Sequence, residues 1–398
     1  MLTSHHHGYV RRSRKEKLTV HRSRFSQYLV VFFITIFVPV GLGAQADARL
    51  QGLKDEALQM VEEDAKMVQE IVDMLFSFGE LGFQEFETQR YLTGILEDHG
   101  FEIELGVAGM PSAWIAQWSN GSGSPVIALG SDVDGIPQSN QKPGVAYRDP
   151  ILPMAPGHGE GHNSGQAVNI VAALNVKELM EREDIDGTLM IWPGVAEEQL
   201  GSKAFFVRDG VFDGVDVNLF SHVSSNFSVT WGHTSGNALV SAQFRFTGET
   251  AHSAGSPWRG KSALDAVMLL AQAWEYKREH LRPPQRSHYI IVEGGDQPNV
   301  VPQTATIWFY FREVDYPRVV EMYDAAKLMA RGAAMMTGTE IDTIMTVGSA
   351  WNRHFSKPVA EVTQTNIERV GLPEWSEADV ALANGLQRDL GQEERGLP

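Results

Sequence analysis

The chain has 398 residues, with 33 Lys and Arg against 50 Asp and Glu, and no cysteine. Its length suggests more than one domain, and its apolar share of 43% is ordinary for a globular protein. The net charge of −17 argues against a nucleic-acid surface, which needs a basic face, and against binding to an anionic membrane. Without cysteine, disulfides, thiolate nucleophiles and cysteine-based metal sites are excluded.

The N-terminus has the pattern of an export signal. A basic stretch precedes the uncharged apolar run Tyr28–Gly43, and Ala44-Gln45-Ala46 follows that run. These are, in order, the three parts of a cleavable signal peptide. We therefore expect residues 1–46 to be removed and the protein to be exported, to the periplasm or the extracellular space. An uncleaved membrane anchor is the alternative, but the run is short for a membrane span, which needs about 20 apolar residues.

Residues 47–235 alternate between helical and strand patterns. Helices are predicted for Val61–Leu75, for Glu87–His99 and from Asn163 or Ser164 onward, and strands for Val126–Leu129, Leu189–Trp192 and Val215–Phe220. Strands that alternate with helices are typical of an α/β domain in which helices flank a central sheet. We interpret this part as the N-terminal part of a catalytic domain with a mixed sheet.

Residues 236–347 follow a different pattern, in the order β-α-β-β-α-β. The predicted strands are Leu239–Phe246, His288–Glu293, Thr304–Arg312 and Ile341–Val347, and the predicted helices are Ser262–His280 and Tyr316–Met336. This order is the split-βαβ, or ferredoxin-like, layout, and it indicates an inserted domain. In residues 348–398 the first pattern resumes with a helix from Pro358 to Arg369, and no further strand is visible.

The glycine-rich segment Gly157–Asn163, GHGEGHN, contains two histidines and a glutamate. Glycine lets the backbone turn tightly and approach a bound ion closely. Glu160 and His162 supply the oxygen and nitrogen donors that zinc and manganese accept. A polar surface turn is the alternative, but three acidic or imidazole groups among glycines favour a metal site.

Two adjacent acids, Glu197 and Glu198, follow the predicted strand Leu189–Trp192. Alone, such a pair is a common surface feature. It gains weight at the carboxyl end of a strand, because α/β sheets bind ligands there. Since neighbouring side chains point in different directions, one carboxylate can bind a metal while the other faces a water molecule as general base.

His222 and Asp132 also come after predicted strands. The position of His222 at a strand end favours a metal ligand over a buried histidine that is only hydrogen-bonded. Asp132 belongs to the sequence Asp132-Val133-Asp134. A carboxylate here can orient a ligating histidine, although an aspartate that starts a turn is the competing interpretation.

Five motifs occur in a specific order and spacing: GHGEGHN, AEE, the strand-end His222, AHSAGSPWRGKSALDA at residues 251–266 and GGDQPNVVP at residues 294–302. Each motif alone is moderately specific. Together they resemble the dimetal peptidase and aminoacylase superfamily, an amidohydrolase group, and in particular its aminobenzoyl-glutamate utilisation protein B branch. The resemblance runs from about Leu81 to the C-terminus.

The resemblance implies two divalent metal ions in the catalytic domain. Their ligands would be Glu160, His162, Glu198 and His222. Glu197 would be the general base, and Asp132 matches the aspartate that supports a ligand.

The resemblance also implies that residues 236–347 form a lid and dimerisation domain. His252 would reach the site of the partner subunit and polarise the scissile carbonyl. Asn299 and Arg312 would contact the substrate, Arg312 through a carboxylate. The alternatives are a turn before Pro302 for Asn299 and exposed charges at strand ends for His252 and Arg312.

Two features depart from the family pattern. The branch has cysteine where Glu160 stands, whereas the wider superfamily has a bridging aspartate. A carboxylate is the harder ligand and favours manganese over zinc. The family's last metal histidine comes from near its C-terminus, and His354 is not in the matching context, so we expect the chain to be C-terminally truncated.

The sequence therefore predicts a dinuclear metallohydrolase that cleaves the amide bond of an N-acyl or aminobenzoyl amino acid. The substrate class follows from the resemblance. The expected partners are a small-molecule amide substrate and a second subunit, in a homodimer or a related-subunit heterodimer, joined through residues 236–347. The main alternative is an inactive truncated homologue that acts as a dimerisation partner subunit.

Overall fold

The structure is a computed structural model that describes residues 40–224, 227–233 and 236–397, and for residues 40–46 the backbone alone. The first 39 residues of the predicted export signal lie outside these ranges. Helix α1 begins at Val40, ends at Glu63 and includes the predicted cleavage segment Ala44–Ala46. Among the described residues, no helix is both long and apolar enough to cross a membrane.

The next part of the chain forms a five-stranded mixed sheet with helices packed against it. In chain order the elements are α2 (Ala65–Phe78), α3 (Phe86–Asp98), β1 (Glu102–Leu105), β2 (Trp114–Asn120), β3 (Val126–Asp132), α4 (Gly165–Glu183), β4 (Gly187–Gly194), α5 (Lys203–Arg208) and β5 (Val217–Phe220). The spatial order is β1-β2-β4-β3-β5. Strand β3 runs parallel to β4 and β5, whereas β2 is antiparallel to both β1 and β4. The predicted mixed sheet is thus confirmed.

Three details differ from the sequence-based expectation. The helix predicted through Val61–Leu75 is interrupted at Asp64, where α1 ends and α2 begins. Only the second of these helices buries its apolar face, through Ile71 and Leu75. Strands β1 and β2 carry no long apolar run and were not predicted. Strand β5 is an edge strand, so much of it is exposed, which the apolar run Val215–Phe220 did not indicate.

The inserted segment forms a second sheet. Its elements follow a short strand β6 (Gly232–His233) and are β7 (Ala238–Thr247), α6 (Ala263–Arg278), β8 (Arg286–Glu293), β9 (Thr304–Glu313), α7 (Tyr316–Thr337) and β10 (Glu340–Ala350). The strands are antiparallel, in the order β10-β7-β9-β8, as in a ferredoxin-like domain. This confirms the predicted β-α-β-β-α-β layout.

Alternation along β7 and β9 divides the second sheet into two faces. One face packs against α6 and α7, and its buried core includes Val240, Ala242, Phe244, Phe246, Ile307, Phe309, Phe311 and Trp274. Trp308 and Tyr310 alternate with this core and therefore lie on the opposite face. That face is the one from which the domain contacts the candidate site.

The last described elements are β11 (His354–Phe355), which pairs with β6, then α8 (Lys357–Val370) and α9 (Glu377–Asp389). The helix predicted from Pro358 to Arg369 is confirmed. Helix α9 was not predicted, although Ser376 and Asp379 form a capping box at its start, and that pattern is visible in the sequence.

The parallel strands fix where polar side chains meet. Since β3, β4 and β5 run in the same direction, their carboxyl ends share one edge of the sheet. The register places Asp132 opposite Gly194 and Gly130 opposite Phe220. A β-carbon on Gly194 would overlap the carboxylate of Asp132, so glycine is required at this position. The turns after all three strands consequently lie side by side.

Candidate metal centre

Five side chains converge at this edge of the sheet. The donor atoms of Glu160, His162 and Glu198 lie within 4.8 Å of one another, and so do those of Asp132, His162 and His222. The Oε2 atom of Glu160 is 3.9 Å from the Nε2 atom of His162 and 4.0 Å from that of His222. The structure therefore brings together all four predicted ligands, with His162 common to both groups.

His162 is the buried centre of the cluster. Its Nδ1 faces Asp134, at 3.0 Å from the backbone carbonyl and 3.3 Å from the carboxylate, and its Nε2 lies 3.1 Å from the Nε2 of His222. Burial alone lowers the pKa of His162, but the contact with Asp134 and the charge of Asp132 outweigh it and raise the pKa to about 9. Without a metal ion, both ring nitrogens thus carry protons that face acceptors.

Glu198 is held by its backbone from two sides. Its amide donates to the carboxylate of Asp134 at 3.1 Å, and its carbonyl accepts from the hydroxyl of Tyr310 at 2.9 Å. Its Oε1 is buried and has no hydrogen-bond partner among the described residues. Burial, together with the charges of Glu160 and Glu197, raises the pKa of Glu198 to about 7. A buried carboxylate oxygen without a donor is suited to a cation.

Asp132 and Glu197 lie beside the cluster and share one cation. The ammonium of Lys203 is 2.7 Å from Oδ1 of Asp132 and 3.8 Å from the carboxylate of Glu197. Burial raises the pKa of Asp132 to about 6, against the opposing charge of Lys203. The Glu197 side chain is 32% exposed, so water can reach it.

The structure changes the position predicted for the supporting aspartate. The carboxylate that contacts Nδ1 of His162 belongs to Asp134, whereas Asp132 is ion-paired with Lys203. The reason is the pleat of the chain after β3, which directs Asp132 and Asp134 to the same side but two residues apart. Asp134 also fixes the amide of Glu198, so it holds two proposed ligands at once.

The three residues predicted in the inserted domain lie outside the cluster. His252 and Asn299 are exposed on adjacent loops, joined by a bridge between His252 and Val300 and by the Ser253 amide, which donates to the Asn299 carbonyl at 3.0 Å. Arg312 is half-buried on β9, with its guanidinium 5.3 Å from the centre of the Tyr310 ring. Since Tyr310 contacts Glu198, Arg312 lies on the face of the domain that meets the site.

Four residues near the centre were missed by sequence reasoning: Glu85, Asp134, Lys203 and Tyr310. For Asp134 a signal existed, since it shares a motif with Asp132. The other three come from the start of α3, from α5 and from β9, and are distant in sequence from most of the ligands. Their relevance depends on the tertiary fold, which no local pattern encodes.

Two imidazoles and several carboxylates at the carboxyl ends of parallel strands, with a solvent-accessible acid beside them, define a metal-dependent hydrolase of α/β fold. Comparison with known proteins gives the family. Residues 235–343 match the model of the peptidase dimerisation domain.

Among characterised proteins, one of the two related subunits of p-aminobenzoyl-glutamate hydrolase from Escherichia coli K12 is 33% identical over 341 residues, which cover 84% of this chain and 69% of that protein. Xaa-Arg dipeptidase of Mus musculus is 27% identical over 358 residues, which cover 89% of this chain and 80% of the relative. The crystal structure of an aminobenzoyl-glutamate utilization protein from Klebsiella pneumoniae superposes with a TM-score of 0.61 at 18% identity, over 85% of this chain and 91% of that chain. This last likeness concerns the fold alone.

The chain belongs to the dimetal peptidase and aminoacylase superfamily, and within it to the family of that p-aminobenzoyl-glutamate hydrolase subunit. The roles of the individual site residues stay predictions.

Proposed function

We propose that the chain hydrolyses the amide bond of an N-acyl or aminobenzoyl amino acid, and that p-aminobenzoyl-glutamate is the first substrate to test. The observation that carries this proposal is the convergence of Glu160, His162, Glu198 and His222 at one sheet edge, next to the accessible carboxylate of Glu197. The 33% identity to the Escherichia coli p-aminobenzoyl-glutamate hydrolase subunit supports the substrate class.

The residues present fit two divalent metal ions. The Oε1 of Glu198 is buried without a hydrogen-bond partner among the described residues, and the two imidazole Nε2 atoms face each other next to the Glu160 carboxylate. We propose Glu160, His162, Glu198 and His222 as ligands of manganese or zinc, with the harder carboxylate at Glu160 favouring manganese. Divalent ions held there supply Lewis acidity, which polarises an amide carbonyl and makes water more acidic.

The residues of the chain supply the proton transfers. Glu197 accepts a proton from the attacking water and later delivers it to the leaving amine. Lys203 lies 3.8 Å from the Glu197 carboxylate and 2.7 Å from Asp132, so it orients both acids. Asp134 fixes the ring of His162 through Nδ1, which leaves Nε2 directed into the cluster.

His252 and Asn299 act in the site of a partner subunit in this proposal. Both are exposed on neighbouring loops of the dimerisation domain, at residues outside the cluster of their own chain. His252 would donate a hydrogen bond to the carbonyl oxygen of the substrate as negative charge develops there. Arg312 would bind a substrate carboxylate. The partner is a second copy of this chain or a related subunit.

The test combines metal content with turnover. The purified chain, dialysed against manganese or zinc, is assayed with p-aminobenzoyl-glutamate and a set of N-acyl amino acids, beside Glu197→Gln. About two metal ions per chain, and turnover that Glu197→Gln lowers at least about 100-fold while metal content stays the same, support the proposal. Glu249→Gln, which changes an exposed acid on the inserted domain, is the matched control.

The second candidate is a non-catalytic partner subunit, which the two related subunits of the Escherichia coli hydrolase make specific. Metal-loaded chain without turnover on any of these substrates, but with turnover restored by a related subunit, favours this candidate.

We also propose export from the cytoplasm, supported by the basic stretch and the apolar run Tyr28–Gly43 before Ala44–Ala46. The mass of the protein recovered outside the cytoplasm tests this. An N-terminus at Asp47 supports a cleaved signal, and an intact N-terminus contradicts it.

A further inference from the structure

A fully buried carboxyl group, that of Glu85, lies behind the turn that carries Glu197 and Glu198. Its Oε1 accepts a 2.6 Å hydrogen bond from the amide of Ala196, and its Oε2 accepts a 2.7 Å bond from the hydroxyl of Ser112. Glu85 lies 111 residues from Ala196 in sequence. Neither the proposed ligand set nor the proton transfers use this carboxyl group.

The turn that Glu85 contacts has an unfavourable backbone conformation. Ala196 has a φ of 50°, in the left-handed region that a residue with a β-carbon adopts only when its surroundings impose it. The turn is closed by the amides of Gln199 and Gly201, which both donate to the Ala196 carbonyl. The hydrogen bond to Glu85 is the one that the structure shows for the Ala196 amide.

The segment before Glu85 packs directly against the same turn. A β-carbon on Gly82 would lie 2.8 Å from the Cα of Ala196, so the two backbones are in close contact. The carbonyl of Glu80 also accepts from the amide of Gly135, which follows Asp134. One short segment, residues 80–85, therefore supports the turns after both β3 and β4.

The two acids of the turn are not held equally well. The backbone of Glu198 is fixed independently of Glu85, through the Asp134 carboxylate and the Tyr310 hydroxyl. Glu197 has an ionic contact with Lys203 at 3.8 Å, which is long for a bond that fixes direction. The direction of Glu197 therefore depends most on the residue before it, Ala196, and through Ala196 on Glu85.

We infer that Glu85 is a positioning residue for Glu197: its carboxyl group holds the Ala196 amide and so keeps the general base aimed at the reacting water. The inference rests on the proposed function insofar as it names Glu197 as the base. Burial raises the pKa of Glu85 to about 7, which agrees with a group that acts as a hydrogen-bond acceptor in a closed site.

The test uses three substitutions at one position. Glu85→Gln keeps the size of the side chain, since its amide oxygen can accept from Ala196 and its amide nitrogen can donate to Ser112. Glu85→Asp keeps the charge but is one methylene too short to reach Ala196. Glu85→Leu keeps the volume and has no acceptor. Ser112→Ala is the matched control, because it removes the other partner of Glu85 and leaves the contact with Ala196.

Hydrogen exchange of the peptide that contains Ala196 is the readout that does not need activity. Exchange of the Ala196 amide should be at least about tenfold faster in Glu85→Asp and Glu85→Leu than in the native chain, and unchanged in Glu85→Gln and Ser112→Ala. If Glu85→Leu does not fold, Glu85→Asp and Glu85→Gln still separate the outcomes. Equal protection in Glu85→Asp and the native chain overturns the inference.

Kinetics then connect the contact with the base. We expect kcat to fall about 10- to 100-fold in Glu85→Asp, with KM and metal content unchanged, and to recover in Glu85→Gln with the native pH profile. Metal content that falls in parallel with kcat would show a general structural role instead. A native chain without turnover contradicts the proposed function, while the exchange result still decides whether Glu85 holds Ala196.

Discussion

The hydroxyl of Tyr310 donates a 2.9 Å hydrogen bond to the backbone carbonyl of Glu198. This contact joins strand β9 of the inserted domain to the turn that carries a proposed metal ligand. Two residues further along β9, the guanidinium of Arg312 lies 5.3 Å from the centre of the Tyr310 ring. The inserted domain therefore contacts the metal cluster of its own chain, while its exposed loop with His252 is free to act elsewhere.

Tyr310→Phe should weaken metal binding without unfolding the protein. The substitution leaves the ring and removes one hydrogen bond, which contributes about 1 kcal/mol, so we expect the metal dissociation constant to rise about fivefold. Titration of the metal-free chain with manganese measures this. Trp308→Phe is the control, because the indole of Trp308 lies on the same face of β9 but donates to Ser241. An equal loss in both variants would indicate a general effect on the domain.

Metal binding should release protons at neutral pH. The pKa of His162 is raised to about 9 and that of Glu198 to about 7, so the metal-free site holds between about one and two protons at pH 7 that ligation displaces. Metal affinity therefore rises with pH, and the proton release declines to near zero above about pH 10.

Calorimetric titration in buffers with different heats of ionisation counts these protons. His99→Ala is the control, since His99 contacts the carbonyl of Ile95 on its own helix. If no protons are released at pH 7, His162 and Glu198 do not bind the metal as proposed.

Two inactive variants should restore activity to each other. In the proposed dimer, each site combines Glu197 of one chain with His252 of the other. A mixture of Glu197→Gln and His252→Ala forms heterodimers with one complete site, so equal amounts should give about a quarter of the native activity after subunit exchange. The activity of the mixture is measured against each variant alone. Additive, negligible activity after confirmed exchange would place His252 outside the partner's site.

The sequence predicted the fold well where one face of an element is buried. The alternation Val240, Ala242, Phe244, Phe246 on β7 follows directly from a sheet with helices on one side, and the structure buries all four. Strands β1 and β2 escaped because they mix polar and apolar residues without a clear period. Helix α9 buries no residue and gave no apolar pattern.

The cluster itself could be predicted because its ligands follow strand ends, and parallel strands bring their ends together. The contacts around it could not. Asp134 rather than Asp132 contacts His162 through its Nδ1, and Lys203 reaches Asp132 from a helix 71 residues away in sequence. Such contacts depend on the packing of side chains from distant elements, which motif spacing does not determine.

Lys203→Met should destabilise the metal-free protein in a pH-dependent way. It leaves the buried carboxylate of Asp132 without its cation, and we expect a loss of about 1 to 3 kcal/mol in the free energy of unfolding at pH 8. The pKa of Asp132 is about 6, so at pH 5 the group is mostly protonated and the loss should be smaller. Urea unfolding at both pH values measures it. The double variant Lys203→Met with Asp132→Asn should recover stability at pH 8, and failure to do so would contradict an ion-pair effect.

Glu85 should make the metal-free protein less stable as the pH rises. Its pKa is raised from 4.5 to about 7 in the folded chain, so the folded state binds more protons than the unfolded state between these values. The stabilisation that protonated Glu85 provides is complete below about pH 4.5 and is lost as the pH rises through about 7, by about 3 kcal/mol in total. In Glu85→Gln this part of the pH dependence should disappear, because the amide does not titrate. Urea unfolding of both proteins from pH 5 to pH 8 measures the difference, with Glu62→Gln on the exposed surface of α1 as control. Parallel curves for the native chain and Glu85→Gln would mean that the buried carboxyl group ionises at its ordinary pKa.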